Sequence, residues 1–124
     1  MKRILSSLFL ITLFLGSTYA APAPAVARIW RGRVPTARAD EYAKYLSDGI
    51  RQIEKIKGNL GVQMFRGTGD PVEFTVISYW PDRQAIHAFA GADIEKVHEL
   101  PRDHEFLVEP GTVQQMDIVS DSRH

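Results

Sequence analysis

Residues 72–80 read Val-Glu-Phe-Thr-Val-Ile-Ser-Tyr-Trp, with Glu73 and Ser78 the only strongly polar side chains. Such a run predicts a central strand covered on both faces, and Pro81 ends it. Asp82 then stands where it can cap a helix carrying Ile86 and Phe89 inward. Gly91 interrupts that helix, and the pattern resumes over residues 92–100 with Ile94, Val97 and His98 on one side, until Pro101.

Upstream, Val26, Ile29, Trp30 and Val34 alternate loosely with Arg28, Arg31 and Arg33, which predicts a first, partly exposed strand over residues 26–34. Thr36 is the candidate N-cap of a helix beginning near Ala37. In it Tyr42, Leu46, Ile50, Ile53 and Ile56 recur at steps of three and four and form one face. Gly49 lies inside this helix as a potential kink, and Gly58 after it is free to take a left-handed cap conformation. Residues 60–65 alternate as a second strand. A short Gly- and Pro-containing turn joins it to the 72–80 strand, so the two should form an antiparallel hairpin. Residues 102–105 read as a charged loop, 106–108 as a short apolar patch, 112–119 as the last strand and 120–124 as a disordered tail.

The order strand, helix, strand, strand, broken helix, strand is the split βαβ pattern of an α+β, ferredoxin-like βαββαβ domain with a four-stranded antiparallel sheet. Both helices then cover one face. The other must carry one parity of Val62 or Phe65, Phe74 or Ile77, and Met116 or Ile118, all too apolar for water. A second copy of the chain would cover it.

The N-terminus changes the picture of where such a domain works. Lys2 and Arg3, an apolar run over residues 4–16 and small residues up to Ala20 form the pattern of a secretory signal peptide over residues 1–20. The run is shorter than the ~20 residues that span a bilayer, though an uncleaved anchor is the alternative. Cleavage leaves a Pro/Ala-rich linker over residues 21–25 and one domain over 26–119, in a periplasmic or secreted location. The chain has 15 basic and 15 acidic side chains and no cysteine. Losing Lys2 and Arg3 leaves it mildly acidic, without the basic footprint that nucleic acid or anionic lipid requires. Without cysteine, neither disulfides nor a thiol nucleophile enter.

Several segments together, Val26 to Gly32, Tyr42 with Tyr45-Leu46, Gly58 to Val62, Phe74 to Trp80, and Ala85 to Gly91, resemble the antibiotic biosynthesis monooxygenase family over about residues 26–119. The resemblance implies a dimeric α/β barrel: a homodimer of two sheets face to face, with a pocket in each subunit between helices and sheet. It also implies an oxygenation without metal or organic cofactor, in which the anion of a phenol or quinol itself activates oxygen. The protein would bind, desolvate and deprotonate that molecule. Trp30, Met64, Tyr79, Trp80 and Phe89 are the candidates to line an aromatic slot, and His98 or His87 to take the proton. A heme-degrading branch of the same superfamily uses a first-strand asparagine, a second-helix tryptophan and a histidine further along that helix as iron ligand. His98 matches the histidine. Residues 21–58 contain no asparagine, leaving Ile29 or Trp30 at the strand position, and Ala88 or Phe89 stands in place of the tryptophan.

Each candidate also has a purely structural role open to it. His98 can be a partly buried histidine bonded to a backbone carbonyl, His87 a helix-surface residue and His104 a solvated one, while both tryptophans can be core or interface anchors. His98, His104, Glu99, Asp103 and Glu105 hold no His-x3-His pair, so no metal site is expected, and no Gly-rich phosphate loop or Gly-x-Ser-x-Gly turn is present. Three readings follow: a cofactor-independent oxygenase, a non-catalytic binder of heme or another small apolar molecule through His98, and a dimeric module with no ligand.

Overall fold

The computed structural model describes residues 23–123; the expected signal peptide over residues 1–20 lies outside them, as do the first two residues of the expected 21–25 linker. Strand β1 (Val26–Val34) leads through a short 3-10 turn (Thr36–Arg38) into helix α1 (Ala39–Glu54). Strands β2 (Gly61–Arg66) and β3 (Val72–Trp80) follow, then α2 (Arg83–Ala90), the one-turn helix α3 (Asp103–Phe106) and β4 (Thr112–Asp117). The sheet has the order β2-β3-β1-β4 and every pairing is antiparallel. This is the expected ferredoxin-like α+β arrangement, with the 72–80 run in a central place.

Register fixes what each face carries. Arg28 lies opposite Ser78, Trp30 opposite Val76 and Gly32 opposite Phe74, so these share the helix-covered face with Val26 and Trp80. Ile29, Ile77, Phe65 and Met116 share the other face. The expected burial of β3 on both sides therefore holds on one side only within a single chain: Ile77 and Tyr79 are half-buried, and Phe65 and Met116 are about half exposed, at 47% and 48%.

Tyr42, Leu46 and Ile50 of α1 pack on Phe74, Val76 and Phe106 in the larger core. A smaller core at the other end joins Val26, Trp80 and Ile86. Asp82 caps α2 as expected, accepting from the Ala85 N–H at 2.9 Å. Thr36 does not cap α1; its hydroxyl donates to Asp70 at 2.6 Å, and the 3-10 turn takes the place of a side-chain cap. Gly49 does not end or break α1. It gives room to Leu100, whose Cδ1 would lie 2.5 Å from a Cβ at that position.

The largest departure from expectation is residues 91–100, which are irregular and not helical. Gly91 leaves α2 at φ 82°, a conformation open to glycine. Beyond it the carbonyls that a helix would use internally are taken from outside. Arg28 donates to Ile94 O at 2.5 Å and to Lys96 O at 3.1 Å, and the Leu100 N–H turns to Asp103 Oδ2 at 2.8 Å. Leu100 also precedes Pro101, which disfavours the helical region. The segment becomes a strap across the sheet. Residues 103–106, expected as a loop and the start of an apolar patch, form α3 instead, because Asp103 and Phe106 are both buried there. Ala25, placed in the linker, extends the sheet, donating to Trp80 O and accepting from the Ile118 N–H. In the tail Arg123 pairs with Asp121 and lies 5.2 Å over the Tyr79 ring.

Candidate functional site

Between the two cores α1 and the strap stand off the sheet and leave a narrow cavity of about 40 Å3, which widens outward into an open, solvent-filled depression of about 510 Å3 in all. Leu46, Ile50 and Ile53 of α1 form one wall, Leu100 and His98 of the strap another, and Phe89 closes one end. Its floor is Arg28, Trp30, Val76 and Ser78 of the sheet, and Asp103 lines it near α3.

Of the residues the sequence singles out, the cavity brings together Trp30, Phe89 and His98. His98 is exposed, with its ring 4.8 Å from that of Phe89, so it sits at the mouth and is not the buried, carbonyl-bonded histidine that was the alternative. The other four lie elsewhere. His87 turns its Nδ1 to Gly91 O at 2.8 Å and joins the end of α2. Trp80 is wholly buried in the smaller core, its Nε1–H donating to Ser78 Oγ at 2.9 Å. Met64 packs against the larger core, away from the cavity. Tyr79 is on the outer face of the sheet, donating to Gln63. Strand parity separates Tyr79 from Trp80, since neighbours on a strand point to opposite faces.

Three polar residues of the cavity were not among the candidates for catalysis or substrate binding, Asp103 having entered only as a possible metal ligand. Arg28 is only 3% exposed, although its strand was expected to be partly open. Besides the strap carbonyls it donates to Gln115 Oε1, and its guanidinium lies 5.6 Å from the Phe89 ring. Burial holds this guanidinium below its usual value, with Glu95 opposing the effect. Ser78 is buried beside it. Asp103, 2% exposed, accepts from Tyr42 Oη at 2.9 Å and from the Leu100 N–H. Burial pushes its carboxyl above the ordinary range, the two hydrogen bonds pulling the other way, and burial beside Asp103 raises the Tyr42 phenol. The first two were legible: strict alternation puts Arg28 and Ser78 on one face with Trp30 and Trp80. Asp103 meets Tyr42 across 61 positions of chain, and no local pattern announces that.

The arrangement can hold a flat apolar molecule against Trp30 and Phe89, donate hydrogen bonds to it from the floor, and accept a proton at Asp103 or His98. Among the described residues no three His, Asp or Glu side chains converge to hold a metal ion.

Known proteins share this fold. The model of the antibiotic biosynthesis monooxygenase family matches residues 25–97. A protein of unknown function from Nitrosomonas europaea superposes with a TM-score of 0.64 at 13% identity, covering 84% of this chain and 98% of its own. An antibiotic biosynthesis monooxygenase superposes at 0.61 and 20% identity, covering 77% and 99%. The heme-degrader MhuD from Mycobacterium tuberculosis, solved with two hemes bound in its active site, gives 0.60 at 22% identity, covering 79% and 99%. At such identities the likeness speaks for the fold alone. No curated protein is detectably similar in sequence. With the family model spanning the strands and helices that build the cavity floor and one end, the chain belongs to the antibiotic biosynthesis monooxygenase family.

Proposed function

We propose that the chain binds a small phenolic or quinol aromatic in this cavity and oxygenates it without metal or organic cofactor. The observation that carries the reading is a largely apolar cavity with Trp30 on its floor, Phe89 at one end, and buried Arg28, Ser78 and Asp103 among its lining. In such an oxygenation the substrate supplies the electrons: a phenol and one O2 give a quinone and one water. The protein holds the ring on Trp30 and Phe89, excludes water through Leu46, Ile50 and Leu100, and takes the phenol proton at His98 or Asp103. The test is oxygen uptake with 1-naphthol and larger fused-ring phenols. Equal consumption of oxygen and phenol with formation of the quinone supports the reading; binding without oxygen uptake reduces the protein to a carrier.

His98 at the mouth favours one second reading, a heme-binding protein with this imidazole as axial ligand. The narrow inner part and the bulk of Trp30 leave only the mouth for a macrocycle. Titration with hemin should give a Soret band that His98→Ala abolishes, and a flat titration overturns it.

Assembly and location belong to the same proposal. Exposed Phe65 and Met116 with half-buried Ile77 and Ile118 make an apolar outer face that supports a homodimer. Sedimentation at low micromolar concentration should give twice the chain mass, and Ile77→Glu the monomer. Export to the periplasm or beyond is supported by the sequence of residues 1–20 alone; protein recovered outside the cytoplasm should lack them, and full-length mass there overturns cleavage.

A further inference from the structure

Arg28 is a buried cation in an apolar place. Among the described residues it forms no ion pair, and its partners are two backbone carbonyls and one amide oxygen. Those are dipoles; the anion that acts on it, Glu95, is linked to it only through Gln115, so the buried guanidinium has no counter-ion in direct contact. A floor built only to close the core would carry an aliphatic side chain here, as Val76 does one strand position along. Ser78, directly across from Arg28, accepts from Trp80 Nε1 and keeps its own O–H to donate. The floor therefore offers the cavity a positive charge and a hydroxyl donor side by side.

We infer that Arg28, with Ser78, holds the oxyanion of an otherwise apolar aromatic acid, so that the cavity selects the ionised form of its ligand. This rests on the proposed small-aromatic site and deepens it: the phenol is held as phenolate by a fixed cation, and proton acceptance need only follow that preference. The charged and titratable groups around Arg28 are few. Glu95 faces it from the strap, held by Gln115 Nε2 at 3.1 Å; His98 and Asp103 share the cavity; α1 contributes only apolar side chains there, and α2 only Phe89.

The probe is 4-nitrophenol, whose phenolate absorbs visibly, with 4-nitroanisole as its neutral ether. In the full protein the bound phenol should titrate about one pH unit or more below the free probe, a tenfold preference for the anion, while the ether binds more weakly and without pH dependence. Arg28→Lys should keep most of the shift and Arg28→Gln lose it while still binding the ether, which separates loss of charge from collapse of the strap. Benzoate competing better than the phenol would name a carboxylic acid as the natural ligand class, and the reverse order a phenol; both support the oxyanion site. A bound phenol that titrates like the free one, or a shift kept in Arg28→Gln, overturns the inference and leaves the aromatic site standing if the ether binds. If neither probe binds, both fall.

Discussion

The two ends of the helix-covered sheet face are packed alike, and the stretch between them is not. Under the N-terminal half of α1, Tyr42 meets Phe74 edge-on at 5.3 Å and Phe106 at 5.1 Å, and its hydroxyl is bonded to buried Asp103. At the far end Trp80 stacks with Phe89 at 6.3 Å over Val26 and Ile86. Between them lie Arg28, Ser78 and an open cavity. A chain selected only for stability would have continued the aromatic packing across the gap, because each buried methylene stabilises by about 0.8 kcal/mol. The gap is where packing for stability stops, as the proposed binding site requires.

Substitutions at the two places should therefore separate stability from ligand affinity. The largest effect is expected at Phe74, fully buried among Tyr42 and its neighbours: Phe74→Ala should cost about 3–5 kcal/mol in denaturant unfolding. Asp103→Ala comes next, at about 1–3 kcal/mol, since it leaves the Tyr42 hydroxyl and Leu100 N–H without their acceptor. The same carboxyl gives a pH signature. Burial raises it above its ordinary 3.8, so its contribution to stability is fully present below that pH and is lost as pH rises through the raised folded value. The denaturation midpoint of the parent protein relative to Asp103→Asn should fall over that window and then level off.

Gly49→Ala should change stability by less than about 1 kcal/mol, because the helix gain from alanine offsets the displacement of Leu100. It should nonetheless weaken aromatic binding measured by titration, since Leu100 is a wall of the cavity. Smallest is His98→Ala: an exposed side chain at the mouth should shift unfolding by no more than about 0.5 kcal/mol. Oxygen uptake that falls at least tenfold in this variant would assign the proton to His98, and unchanged uptake would assign it to Asp103.

The legible and illegible parts of the chain divide along the same line. The α1 stripe from Tyr42 to Ile53, the Asp82 cap and the 72–80 strand were readable because each is settled by neighbours a few residues away, whereas Ile56, expected on the same stripe, lies past the end of α1 at Glu54. The strap was misread as helix because its spacing is helical, while the partners that claim its carbonyls sit on β1, more than sixty residues distant. The site followed suit. Aromatic residues drew the sequence reading, yet Trp80, Tyr79 and Met64 serve packing or the outer face; the buried polar groups of the cavity are Arg28 and Ser78, to which strand alternation pointed, and Asp103, which no local pattern announces.

Strand β1 serves two surfaces at once, with Arg28 and Trp30 turned inward and Ile29 and Arg31 outward. Insertion or loss of a single residue between Arg31 and Val34 would exchange the two sets unless the chain ahead of it slid by one, presenting the guanidinium to the outer surface and an isoleucine to the cavity. Changes in length there are tolerable only in twos, so this short ribbon should be the part of the molecule least open to insertion and deletion.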